Sequence, residues 1–307
     1  MKNYLTLIRY KNLLFLAFSQ MAINYIFLKN AINNLPLNNL HFILLVITTL
    51  CLAAAGYIIN NIEDVEADNI NKPKNVVIGK HISENTAFKL YLILNIVGVI
   101  LGIYLANFIE KSNFAVSFVL IALLLYWYAT SLKKIPILGN IIVSLLVGYS
   151  IIIVGFFQLY PIITSKNSEY ISNLFSIILD FAAFATLINF IREIIKDLED
   201  VKGDKNVGIK TLPIILGINK TAKLISLLSI IAIVILILYV KNNLIDYIYV
   251  SLYFLLFIIA PLLYFTIKVF SAKETTEFHK LSTILKIIMF TGIISLIVIS
   301  YSIRYVK

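Results

Sequence analysis

The feature that most constrains this chain is a series of nine apolar runs separated by short polar clusters, at about 13–28, 40–59, 90–108, 114–130, 139–161, 174–191, 224–240, 244–267 and 284–303. Most of the runs approach the 20 or so apolar residues that a helix needs to cross a bilayer. Hydrophobic residues make up 60% of the chain and charged residues only 14%. A water-facing globule would lack the polar surface to cover so much apolar material, so the pattern excludes a soluble helical core. The expected fold is all-α: a polytopic membrane protein of nine transmembrane helices around a central cavity, forming one domain over residues 1–307. The first run follows Lys2, Arg9 and Lys11 as a signal peptide would. It continues through Leu28 without a small-residue cleavage site, and is read as span one.

Charge sets the expected orientation. With the N-terminus in the cytoplasm, only six of the 26 Lys and Arg face outward: Lys29, Lys111, Lys166, Lys241, Arg304 and Lys307. The other twenty lie inside, as the positive-inside rule requires. The net charge of +10 is therefore accounted for by the membrane, and nucleic acid is not an expected partner. A single cysteine, Cys51, excludes a disulfide framework, and the three histidines, His41, His81 and His279, argue against a His-based zinc centre.

Chemistry is concentrated in two connections on the same side. Nine of the sixteen acidic residues form two clusters directly after spans two and six. Asn60, Asp64 and Asp68 are spaced i, i+4, i+8, and Asp197, Asp200 and Asp204 are spaced i, i+3, i+7. Each set falls on one face if its helix runs past the membrane surface, with Pro73 and Gly203 as expected stops. Stacked carboxylates repel, and more so near lipid, so a cation is expected between them. Oxygen ligands without His or Cys point to Mg²⁺, which keeps waters and is commonly completed by substrate phosphates. For either cluster alone, solvated loop charges paired with neighbouring lysines is the competing reading. Lys72, Lys74 and Lys80 flank the first cluster, and Arg192, Lys196, Lys202, Lys205 and Lys210 the second. Lys133 and Lys134 follow Tyr126, Trp127 and Tyr128, a position that also suits an interfacial aromatic belt.

These residues resemble the UbiA superfamily of intramembrane prenyltransferases. Asn60, Asp64 and Asp68 followed by Asn71, Lys72 and Pro73 match its first aspartate motif. Asp197, Asp200 and Asp204 followed by Gly208, Thr211, Leu212 and Pro213 match its second. Tyr128 and Lys133 with Pro136, Gly139 and Asn140, and Arg9 with Asn12, are similar to further family elements. Asn61 departs from the pattern, standing where the family has Asp. Glu63 could compensate, but points about 100° away from Asp64 around a helix.

The resemblance implies a prenyl diphosphate donor, a lipid-soluble acceptor and Mg²⁺ held by Asn60, Asp64, Asp68, Asp197, Asp200 and Asp204, the five aspartates being the catalytic set. Asn12, Asn60, Lys72, Tyr128, Lys133, Arg192, Lys196 and Lys210 are the expected substrate-binding residues. The site is expected to open to the cytoplasm, at the plasma membrane of a prokaryote. The run from Arg192 to Asp204 looks most like the branch that prenylates geranylgeranylglyceryl phosphate. Prenylation of an aromatic quinone precursor, of 4-hydroxybenzoate or naphthoate type, shares the same metal motifs. Asp180, alone within span six, is either an acceptor-orienting group or a snorkelling surface acid. From another class, a cation-coupled secondary transporter is the alternative, though its acids would be expected near the midplane.

Overall fold

The computed structural model describes residues 1–305, with side chains through Ser302; the Arg304 side chain and Lys307, both counted on the outer side, lie outside those limits. Among the described residues there are nine helices long and apolar enough to cross a membrane. We label the helices α1 (Lys2–Leu7), α2 (Tyr10–Ala31), α3 (Asn39–Glu63), α4 (Val65–Asn71), α5 (Glu84–Phe108), α6 (Ser112–Thr130), α7 (Leu138–Ile162), α8 (Ser168–Asn206), α9 (Leu212–Leu216), α10 (Ile218–Asn243), α11 (Ile248–Ser271) and α12 (Thr275–Tyr305). The short α1, α4 and α9 are not spans.

Local chemistry explains many of the boundaries. The Asn38 side chain accepts from the His41 backbone N–H at 3.0 Å and opens α3, and Ser83 does the same for Thr86 at 3.2 Å and opens α5. In α11 a π-helical stretch, Leu255–Ile259, precedes Pro261, whose ring and missing N–H break the regular bonding pattern.

Helix α3 packs along α5, α7 along α8, and α8 along α12. Close approach in the middle of the bundle depends on a small residue. A Cβ at Gly148 of α7 would meet the Thr186 hydroxyl and lie 3.0 Å from the Ala182 carbonyl, both on α8. The outer faces carry exposed Ile93, Ile96 and Ile100 on α5 and Val234, Ile235 and Leu238 on α10. Apolar surface of that extent belongs in hydrocarbon, and the chain is an integral membrane protein.

Two expected boundaries are corrected. Helix α8 runs 39 residues, far beyond the apolar stretch at 174–191, and passes straight through Gly203 to end at Asn206. The left-handed glycine after it is Gly208, at φ 75°. Conversely, α3 does not continue unbroken past the aspartates; it kinks at Asp64 before α4, which ends two residues ahead of Pro73 as expected.

Candidate active site

The kink at Asp64 does not cost the first stripe its register. Backbone bonds run from Asp64 N to Asn60 O at 2.9 Å, from Asp68 N to Asp64 O at 2.8 Å and from Lys72 N to Asp68 O at 2.8 Å. The four-residue spacing survives, so Asn60, Asp64 and Asp68 stay on one side.

The second stripe is brought to the first by docking α4 onto the end of α8. Asn71 donates to the Asp200 carbonyl at 2.9 Å and accepts from the Gly203 N–H at 2.8 Å. Gly203 is the reason α4 can lie so close: a Cβ there would sit 2.6 Å from the Ala67 carbonyl and against the Asn71 amide. This glycine is a packing position and not a helix stop. As a result Asp68 lies within electrostatic reach of Asp64 and Asp200, and Asp204 within reach of Asp64 and Asp68.

Basic side chains are threaded through the acids. Lys133 Nζ is 2.6 Å from Asp64 Oδ1 and 3.5 Å from Asn60 Oδ1, while the Asn60 amide donates to Asp64 Oδ2 at 2.6 Å. The turn carrying Lys133 is followed by Ile137 at φ 68°, a left-handed conformation costly for a β-branched residue. Lys72 lies 2.8 Å from the Asp200 carboxylate and 3.4 Å from Glu199, which also meets His279 of α12 at 3.1 Å. The Asn140 amide donates to Asp197 at 2.8 Å. The lysine pairing of the competing sequence reading is thus present, but it is partly buried and holds two separate chain segments together.

Charge balance shows what the site lacks. Burial, and next the neighbouring Asp64 carboxylate, hold the Asp68 carboxyl above the usual carboxylate range. Burial alone would lower the Lys72 pKa; the Asp200, Glu199 and Asp68 carboxylates together outweigh it and hold it raised. Five aspartates against Lys72 and Lys133 leave an excess of hard oxygen donors. Among the described residues no three acids or imidazoles stand close enough to cage an ion unaided. This donor set suits a hard divalent ion that takes part of its coordination from substrate and water.

Beside the stripes opens a cavity of about 230 Å³. It is walled by six of the nine spanning helices, α2, α3, α6, α7, α8 and α12. Phe181 and Lys196 both line it, so it extends along roughly 22 Å of α8 at 1.5 Å per residue. Its inner wall is apolar and aromatic, with Phe15, Leu125, Val147, Phe181, Phe184 and Met289. At the aspartate end the wall turns polar: Asn12, Asn60, Tyr128, Arg192 and Lys196 all face it. Lys210 does not, and is exposed on the segment between α8 and α9.

Other residues were absent from the expected site. Tyr57, Glu193, Asn189 and Lys286 line the cavity, and so does Arg9, which the motif comparison noted without a role. Lys286 had a readable signal, a lone cation at the start of an apolar span. Asn61, standing where an Asp was expected, donates to the Leu7 carbonyl at 2.8 Å and pins α1, a bond no carboxylate could donate. Glu63 is exposed. Asp180 is exposed, hydrogen-bonded to Tyr239 of α10, and does not line the cavity. Asp180→Asn is accordingly expected to keep prenyl transfer within about twofold of wild type, measured as kcat/KM; a loss above tenfold would restore an acceptor role for this acid.

The chain is similar to known proteins over most of its length. Residues 22–290 match the UbiA prenyltransferase family model. The chain is 30% identical over 246 residues to the digeranylgeranylglyceryl phosphate synthase of Korarchaeum cryptofilum, covering 79% of this chain and 80% of that protein. It is 33% identical over 246 residues to the enzyme of the same name from Saccharolobus solfataricus, covering 80% and 79%. Among solved structures, one described as giving insights into the biosynthesis of digeranylgeranylglyceryl phosphate synthase in membranes aligns with TM-score 0.64 and 28% identity, over 97% of this chain and 98% of that one. A UbiA homolog from Archaeoglobus fulgidus bound to GPP and Mg²⁺ shares the fold with TM-score 0.60 at 15% identity, over 96% and 99%.

Proposed function

The chain belongs to the UbiA prenyltransferase family, and from that premise we propose that it transfers an isoprenyl group from its diphosphate to the glyceryl hydroxyl of geranylgeranylglyceryl phosphate, using Mg²⁺. The observation that carries this reading is the convergence of two carboxylate stripes, held by Asn71 and Gly203, beside a cavity that Asn60 of the first stripe lines and whose inner wall is apolar. Two relatives that cover most of the chain are named for synthesis of the corresponding doubly prenylated lipid.

In the proposed reaction the allylic carbon–oxygen bond of the donor breaks, and its electron pair leaves with the diphosphate. The acceptor hydroxyl oxygen then bonds to that carbon and passes its proton to the released diphosphate. Asn60, Asp64, Asp68, Asp197, Asp200 and Asp204 would hold Mg²⁺, which supplies positive charge to the departing diphosphate. Lys133 and Lys72, already placed among these carboxylates, donate to phosphate oxygens that the metal leaves free. Tyr128 and Asn60 line the mouth where the reacting carbon would sit. Farther in, Phe15, Phe181 and Phe184 shape a dry channel for the prenyl chain, keep water from a developing carbocation and present ring faces to it. The positive-inside bias supports a site open to the cytoplasm.

The test is a panel of prenyl diphosphates and acceptors presented to membranes containing the protein, with lipid products identified by mass spectrometry. Geranylgeranylglyceryl phosphate is expected to be prenylated in a Mg²⁺-dependent manner. Product formed only on 4-hydroxybenzoate or a naphthoate would transfer the proposal to the quinone-precursor branch. Lys133→Ala is expected to raise the donor KM about tenfold, the loss of one charge-assisted bond, with the acceptor KM unchanged. An unaltered donor KM would remove Lys133 from the diphosphate site.

A further inference from the structure

The cavity wall carries a second charged group beside the aspartate stripes. Arg9, Arg192, Lys196 and Lys286 all line it, and among the described residues Glu193 is the single carboxylate lining it with them. Glu193 is shared, lying 2.6 Å from Lys196 Nζ and 3.5 Å from Arg192 Nη1. Arg9 is also within electrostatic reach of Asp68 and Lys196 of Asp200, but four cations still share one lining carboxylate beside an apolar channel, where like charges repel strongly. Lys286 is within electrostatic reach of Arg192.

This wall is also built with unusual backbone and bonding. Arg9 sits at φ 49° between α1 and α2, a left-handed conformation that non-glycine residues enter at a cost, and it stacks its guanidinium over the Tyr57 ring at 5.4 Å. Lys286 donates to Asn12 at 2.8 Å, and Asn12 in turn bonds Tyr57. Arg192 Nε is buried without a hydrogen-bond partner. An arginine donor left unsatisfied among clustered cations is half of an anion site.

Two phosphate-bearing lipids must occupy the proposed active site together. The donor's diphosphate is provided for by the aspartates with Lys72 and Lys133. We propose that Arg9, Arg192, Lys196 and Lys286 form a metal-independent subsite for the phosphomonoester of the acceptor. This inference rests on the acceptor assignment above and adds which residues recognise it. A phosphomonoester brings about −1.5 to −2 charges at neutral pH and suits the arginine fork, whereas the carboxylate of an aromatic acceptor brings one. The subsite therefore makes the enzyme selective for a phosphorylated lipid alcohol over the same alcohol without phosphate.

The experiment uses the full chain in lipid nanodiscs, with each substrate varied at saturating concentration of the other. Lys286→Gln and Lys196→Gln are both compared with wild type, so that one poorly folded variant does not decide the outcome. Each is expected to raise the acceptor KM at least about tenfold, with the donor KM within about twofold, and Lys286→Arg to recover most of the loss. Wild type is expected to use geranylgeranylglycerol at least about 100-fold less well than its phosphate. A raised donor KM with an unchanged acceptor KM in both variants, or equal use of alcohol and phosphate, overturns the subsite while leaving the acceptor assignment standing. A wild-type protein that prenylates no glyceryl phosphate lipid overturns the acceptor assignment and the subsite with it.

Discussion

Asp64→Asn is expected to lower prenyl transfer by about 10³-fold or more, because the substitution removes charge from the centre of the site while preserving its shape. Asp64 is the node of the first stripe: it receives the Asn60 amide at 2.6 Å and the Lys133 ammonium at 2.6 Å. Asparagine still accepts a bond from Lys133, whereas alanine would strand a lysine whose side chain is only 9% exposed, at a cost of up to about 3–5 kcal/mol. The isosteric variant thus separates chemistry from folding. Single-turnover transfer and Mg²⁺-dependent donor binding should both collapse, while thermal stability in detergent moves by only a few degrees. Asp197→Asn, which retains contact with Asn140, is expected to behave in the same way. Activity within tenfold of wild type in either variant would remove that carboxylate from the metal set.

Gly203→Ala is the second large effect, and it acts without touching a ligand. The added methyl would sit 2.6 Å from the Ala67 carbonyl and press on the Asn71 amide, and a backbone carbonyl in a helix has little room to yield. Helix α4 must therefore lift from α8, breaking the two Asn71 bonds to Asp200 and Gly203, worth about 1 kcal/mol each. The loss of stability is small beside that of the remaining bundle. The effect on chemistry is larger, since a displacement of about 1 Å between the two halves of a catalytic site costs on the order of 100-fold. Transfer measured in membranes should fall by that factor with expression intact, and raised Mg²⁺ should recover part of it. Undiminished activity would show that α4 need not dock at Gly203 for the two stripes to work together.

Both effects follow from residues whose significance was legible to different degrees. Asp64 and Asp197 declared themselves by spacing and by their place after apolar spans. Gly203 was read as a helix stop, a sound reading of a glycine near the end of a periodic pattern, yet the helix passes through it because tertiary contact with α4 requires the missing side chain. Asn61 was read as a lost metal ligand, and its actual bond to Leu7 joins residues 54 positions apart. Lys286 is one of the twenty cations that the charge count places inside, and only the packing of α12 against α8 turns it toward the cavity.

What the amino-acid order determined by itself was whatever depends on neighbours a few residues away. Nine apolar runs specify nine spans, and the helical repeat lines up Asn60 with Asp64 and Asp68, and Asp197 with Asp200 and Asp204. Only the tertiary structure decided how those lines meet and which cations share the cavity with them. Hydrophobic burial in a bilayer is nearly indifferent to which apolar faces pack together. The choice is made instead by glycine notches and a few long-range hydrogen bonds such as those of Asn71, whose partners lie about 130 residues away along the chain.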